Sequence, residues 1–132
     1  MSPRNVETVQ RLYRAITDPD LAELLEVLDP NLHADFTVGL PQGWGGTYTT
    51  AADLIERCWR PMFSRLAIHP VPQEYILCES DQIVVLGRYQ GQSRATGRTL
   101  DAAFAHVLQF EHDRIIRLVQ ITDSARWHEA LR

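Results

Sequence analysis

The chain is expected to fold as an α+β domain, with helices packed on one face of a curved antiparallel sheet. Three observations carry that expectation. Apolar residues in the first half recur at three- and four-residue spacing, as on one face of a helix. Residues in the second half alternate along long β-type runs separated by short polar turns. The 132 residues suit a single core. Residues 1–132 are therefore read as one domain, without repeats, linkers or low-complexity segments.

Val6, Val9, Leu12, Tyr13 and Ile16 form the first apolar stripe. Ser2-Pro3 suits its start and Asp18-Pro19-Asp20 its end. Asp20 and Glu23 are spaced as a capping pair for a second helix with Leu21, Leu24, Leu25 and Leu28, which Pro30 should stop. A short strand is expected over Leu32–Val38, then a glycine-rich loop over 39–47. Thr50 and Asp53 cap a third helix carrying Leu54, Ile55, Cys58, Trp59, Met62, Phe63 and Leu66. Pro61 falls inside it and should kink or shorten it. Strands are expected over Val71–Cys78, Gln82–Arg94, Arg98–Phe110 and Arg114–Thr122, followed by a short helix capped by Ser124.

Composition removes several function classes. The net charge is −4, so a nucleic-acid partner is not expected. All 13 basic residues are arginine, which excludes lysine Schiff-base chemistry and a phosphate-loop lysine. Cys58 and Cys78 are too few for a disulfide framework and read as small buried hydrophobes. No apolar run is long enough to cross a membrane, and the first residues lack a signal-peptide pattern, so a cytoplasmic protein is expected. The five histidines show no ligand spacing, so no metal is expected; no dinucleotide or serine-hydrolase motif points to those chemistries.

Alternation places Ala102, Phe104, His106, Leu108 and Phe110 on one strand face, the more apolar one, which should point inward. His106 would then sit mid-strand in the interior. Parity alone leaves the last strand open, because both of its faces carry apolar residues; an apolar outer face would suit a dimer.

The order of elements is similar to the NTF2-like superfamily, especially its SnoaL-like and ketosteroid-isomerase-like branch. The resemblance runs through Val9–Ile16 with Asp20-Leu21, Gly45-Gly46-Thr47-Tyr48, Thr96-Gly97-Arg98, Phe104-Ala105-His106-Val107, Asp113-Arg114-Ile115-Ile116, Gln120-Ile121-Thr122-Asp123 and Trp127. It implies a cystatin-like cone, a homodimer and an internal pocket for a small apolar ligand, without a cofactor. Carried over by position, the tyrosine of ketosteroid isomerases falls on Leu12, their base on Phe36 beside Asp35, and their central-strand aspartate on His106. Two of the three groups are missing, which argues against that constellation. The acid/base aspartate of SnoaL-like cyclases matches Asp123. The same alignment turns Leu118, Gln120 and Thr122 inward, with Val85, Gly87 and Tyr89 beside them, and Gly87 should open space in front of Tyr89.

The resulting expectation is a cofactor-free isomerase or cyclase that moves a proton on an apolar carbonyl compound. Asp123 would be the base, with His106 and Gln120 polarising the oxygen; Tyr89, Trp44, Tyr48, Trp59, Phe36, Leu12, Phe104 and Leu118 would line the pocket, Trp44 as a lid. Each has a structural counterpart: Asp123 as a helix cap, His106 and Gln120 as satisfied core groups, the aromatics as core. The competing reading is a non-catalytic ligand-binding or dimerisation module of the same fold. An epoxide-hydrolase set of Arg98, Asp101 and Asp123 is disfavoured, since Asp101 falls on the face opposite His106.

Overall fold

The computed structural model describes residues 3–132; Met1 and the Ser2 start signal lie outside the described residues. Helix α1 (Pro3–Thr17) buries Val9, Leu12, Tyr13 and Ile16, the stripe expected from its spacing. Helix α2 (Leu21–Val27) begins where Asp20 accepts a hydrogen bond from the Glu23 amide, as a capping residue should. It ends before Pro30. Strand β1 (Leu28–Phe36) starts four residues earlier than its pattern suggests, and Pro30 sits where its pairing to the last strand is interrupted, between Leu28 and His33. A proline has no amide proton for a ladder, so an interruption there leaves no bond missing.

After a short 3-10 turn (Pro41–Gly43) and strand β2 (Gly46–Tyr48), Thr50 caps α3 (Ala51–Leu54) through the Asp53 amide. Pro61 does not end the helical segment, which runs on to Arg65. A π turn (Ile55–Trp59) leads into α4 (Arg60–Arg65), with the Arg60 amide bonded to the Ile55 carbonyl five residues back. A proline ring clashes with the carbonyl four residues before it in a regular α-helix. The wider turn ahead of Pro61 lets the chain continue and keeps Ile55, Cys58, Trp59 and Met62 buried on one side.

Four long strands follow: β3 (Leu66–Cys78), β4 (Gln82–Ser93), β5 (Thr99–Glu111) and β6 (Arg114–Thr122). Strand β3 begins directly at the end of α4, five residues before the expected Val71. The sheet order is β2-β1-β6-β5-β4-β3; only the β1–β6 pair is parallel. Pro70 and Pro72 lie on β3, an edge strand, where a proline costs no ladder bond and discourages pairing with a foreign strand. The inner face holds the core: Val85 and Tyr89 from β4, Ala102 to Phe110 alternately from β5, and Leu118 and Gln120 from β6. Helix α5 (Ser124–Ala130) packs against β5 with Trp127 fully buried.

Gly87 has a different use from the one its position suggests. A Cβ there would stand 2.3 Å from the Val71 carbonyl oxygen and 2.8 Å from the Phe104 ring. The glycine lets β3 and Phe104 close up, beside the irregularity between Pro72 and Glu74, and opens no room before Tyr89.

The outer face is partly apolar. The register aligns Ile76, Val84, Val107 and Val119 across four strands, with Leu86, Ala105 and Ile121 in the next row. Ile121 is 56% exposed, and Ile76 and Leu86 are exposed as well. No helix among the described residues is long and apolar enough to cross a membrane.

Candidate functional site

His106 projects from the middle of β5 into the cone, where it is 5% exposed. Its ring stacks on Phe104, two residues away on the same face, at 4.0 Å between centroids. Both ring nitrogens are used. Nδ1 lies 2.8 Å from the Tyr13 hydroxyl on α1, and Nε2 lies 2.6 Å from the Tyr89 hydroxyl on β4. The Tyr89 oxygen also accepts from the Gln120 amide Nε2 at 3.2 Å. Gln120, opposite His106 on β6 and 2% exposed, is anchored from behind: its Oε1 accepts from the Thr37 amide at 3.3 Å, and the Thr37 hydroxyl donates to the Gln120 carbonyl at 3.0 Å. Three strands and one helix thus meet in one buried polar chain, and no buried side-chain N or O atom among the described residues lacks a partner.

Burial sets the charge of this chain. Desolvation pushes His106 down to about 3, so the ring is neutral at physiological pH. The same cause raises Tyr13 and Tyr89 far above the ordinary phenol value, with the Gln120 bond offsetting part of the rise at Tyr89. The set is therefore uncharged. Such groups hold and orient a dipole well but take up or release a proton reluctantly. An unfolded chain binds a proton on His106 below about pH 6.5, whereas the folded one refuses it until near pH 3. The stability His106 contributes is present in full above pH 6.5 and is lost as the pH falls toward 3.

The sequence-derived residues divide into four groups. Leu12, Phe36, Trp59, Tyr89, His106 and Leu118 surround one interior void, together with Tyr13, Met62, Phe63 and Pro70. Phe104 backs His106, and Gln120 stands behind Tyr89. Trp44 and Tyr48 pack elsewhere. Trp44 is 2% exposed, and its carbonyl accepts from the Tyr48 hydroxyl at 2.7 Å and from the Cys58 thiol at 3.7 Å. It pins the glycine-rich loop to the third helical segment and is not a lid. Burial raises Cys58 to about 12, so it is an inert thiol.

Asp123 does not join the interior. Its side chain is 52% exposed and stands 3.8 Å from Arg126. It precedes α5 without a side-chain capping bond. The last inward position of β6 is Thr122, opposite Phe104; its hydroxyl donates to the Ala103 carbonyl and accepts from the Trp127 indole, and the chain then turns outward into α5. Asp101 is likewise outside, paired with Arg88. No carboxylate lines the void, and no group of three or more acidic, histidine or cysteine side chains among the described residues could hold a metal.

Tyr13 is the participant that sequence reasoning missed. Its place in the apolar stripe of α1 is visible in the spacing, but carrying over a tyrosine position by alignment points one residue earlier, to Leu12. Both are buried, and Tyr13 carries the hydroxyl that meets His106.

The void itself measures about 10 Å³, roughly room for one water. Next to it, between α1, α2 and the π turn, is an apolar recess of about 230 Å³ lined by Ile16, Leu21, Leu24, Ile55, Trp59 and Phe63. Ile16, Trp59 and Phe63 border both spaces. Tyr13 and Pro70 border the void and also an open groove between α1 and β3.

The SnoaL-like domain family matches residues 9–118. The chain belongs to that family. Among solved structures, an NTF2-like protein of unknown function from Burkholderia pseudomallei is 30% identical, with 98% of each chain covered and a TM-score of 0.86. TerC, crystallised with polyporic acid, is 24% identical over 97% of this chain and 98% of that one, with a TM-score of 0.85. A protein from Jannaschia sp. CCS1, named a SnoaL-like polyketide cyclase, is 19% identical over 98% and 94%, with a TM-score of 0.82. The last two show the shared fold alone. A comparison with curated proteins finds no match.

Two substitutions separate structural from peripheral polar groups. Asp123→Asn should change the unfolding free energy by less than about 0.5 kcal/mol, as for other exposed ion pairs. His106→Leu removes the partner of the Tyr13 hydroxyl and the acceptor of the Tyr89 proton, both in the buried interior, and should cost more than about 2 kcal/mol. Urea unfolding at pH 7 measures both; similar losses for the two variants would contradict the placement.

Proposed function

We propose that this SnoaL-like domain is a cofactor-free isomerase- or cyclase-type pocket protein that takes a small, mostly apolar carbonyl compound into the cone. The observation that carries this is the buried polar chain ending at Tyr13, set in an otherwise apolar interior beside an apolar recess. Polar groups placed so sparingly in an apolar cavity serve to orient a ligand. The ligand's apolar body suits the recess of about 230 Å³, and movement of Phe63 or Trp59 would join that recess to the void beside Tyr13.

The chemistry differs from simple abstraction by an aspartate. With Asp123 outside and His106 neutral, the interior supplies hydrogen bonding and desolvation. A hydroxyl held against a developing enolate in a dry site stabilises the negative charge without reorganising. That favours isomerisation or ring closure of compounds acidic enough to enter as the enolate, with their proton already left on solvent water and the product reprotonated there, so that no base in the cone has to take it. The likeness to TerC supports a ligand of this kind through the fold it shares.

A second reading has its own support. The void is almost filled and no carboxylate among the described residues lines it, which favours a domain that binds a ligand without turning it over. Titration of the tryptophan fluorescence with 2-hydroxy-1,4-naphthoquinone and with polyporic acid tests the shared claim. Binding should weaken about three- to tenfold in Tyr13→Phe, the worth of one neutral hydrogen bond. Equal affinity in that variant, or no binding of either compound, would overturn the assignment. Bound compound recovered unchanged would select the second reading.

We also propose that the apolar outer sheet face pairs two copies of the chain. Its cross-strand rows from Ile76 to Val119 and from Leu86 to Ile121 form a continuous patch flanked by charged residues such as Arg88, Asp101 and Arg117. Light scattering should give twice the chain mass of 15.1 kDa for the wild type and the single-chain mass for Ile121→Arg. A monomeric wild type at tens of micromolar would refute it.

A further inference from the structure

We infer that the buried chain from Thr37 to Tyr13 runs in one direction of proton donation, that Gln120 is the positioning residue that sets it, and that Tyr13 therefore presents a free O–H. The inference deepens the proposed function, on which its ligand consequence rests, by fixing the ligand atom Tyr13 can take: an acceptor oxygen, as in a carbonyl or enolate, and not a donor group.

The direction starts at a group that cannot be reversed. The Thr37 amide is a backbone N–H and only donates, so the Gln120 atom facing it is Oε1. The amide NH2 of Gln120 must then face Tyr89, and it donates to the Tyr89 oxygen. Tyr89 has one proton left to place, and among the described residues its only acceptor is His106 Nε2, at 2.6 Å. An imidazole that accepts at Nε2 and is neutral carries its proton on Nδ1. That proton points at the Tyr13 oxygen, 2.8 Å away. The Tyr13 hydroxyl proton then has no acceptor among the described residues.

The opposite direction fails at a worse place. If Tyr13 donated to Nδ1, Nε2–H would donate to Tyr89, whose oxygen would then accept twice. The Tyr89 proton would be left without an acceptor in the sealed interior, beside a void at the lower limit for one water. Tyr13 by contrast also lines the open groove between α1 and β3, which Tyr89 does not. The free donor thus falls on the residue of the pair that lies next to open space.

Gln120→Glu tests the direction because it replaces the donor facing Tyr89 with an acceptor. With Thr37 N–H still bonded to one carboxylate oxygen, the other oxygen would accept from Tyr89. His106 would then donate from Nε2 and accept at Nδ1 from Tyr13, which would lose its free proton. Nitrogen-15 NMR of the ligand-free domain reads the His106 tautomer directly, with the variant held at an alkaline pH of about 8.5 to keep the introduced carboxyl group ionised, well above the ordinary carboxylate range. The expected result is Nδ1–H in the wild type and Nε2–H in Gln120→Glu. Naphthoquinone affinity in Gln120→Glu should fall to the level of Tyr13→Phe. Nε2–H in the wild type overturns the inference even if the variant does not fold, and so does a folded, ionised variant that keeps Nδ1–H. Because the tautomer is read without ligand, a domain that binds no quinone but shows both tautomers as expected would sink the proposed function and leave the direction of the chain standing.

Discussion

The interior depends on one neutral imidazole held between two tyrosine hydroxyls. A polar ring buried mid-strand costs several kilocalories unless each of its nitrogens is bonded, and a protonated one costs more. His106 meets that demand by drawing on elements far apart in the chain: Tyr13 from α1, Tyr89 from β4, and Gln120 behind Tyr89 from β6. The bonds fix how α1 lies across the sheet. They also tie β1 to β6 through Thr37, which bonds Gln120 twice. The apolar core supplies most of the folding free energy, and the polar chain selects one packing of that core.

The remaining architecture accommodates this arrangement. Gly87 lets Phe104 lie close beneath β3, and Phe104 in turn stacks on His106. The π turn before Pro61 keeps Trp59 and Met62 facing the same void as Tyr89. Trp44, Tyr48 and Cys58 lock the glycine-rich loop to the wall on the other side. The void is consequently small, and the larger apolar space lies just outside it, between α1, α2 and the π turn. From that recess, a ligand reaches the polar chain only if an aromatic side chain at the boundary moves.

Much of the fold was legible in the sequence because periodicity records burial. The stripe of α1, the Asp20 and Thr50 caps, and the alternation that turns His106 inward all appear where their spacing places them. The SnoaL-like resemblance also holds over residues 9–118. The misplaced boundaries have local causes. Pro30 reads as a helix stop but sits in an interrupted strand pairing, and Pro61 reads as a breaker but follows a π turn that periodicity cannot reveal. Within the site, strand parity turned His106 inward, since parity is a property of the backbone, while Gln120 and Tyr89 came from the family alignment because both faces of the last strand carry apolar residues. Parity could not place Asp123, which follows the last residue of β6 and whose direction is set by the turn into α5. Nor could alignment by position choose between Leu12 and Tyr13, adjacent residues that are both buried; only the contact with His106 distinguishes them.

The protonation state of His106 is the point on which the rest turns, because a charged ring would demand a counter-ion that none of the described residues around the void supplies, and would make the site a proton carrier instead of a neutral dipole. NMR titration of its ring from neutral pH down to about pH 4 measures this state, a window that spans the ordinary histidine midpoint. The His106 signals should stay at their neutral positions throughout, in keeping with a group that burial lowers to about 3. A midpoint near 6.5, the ordinary value for histidine, would contradict it.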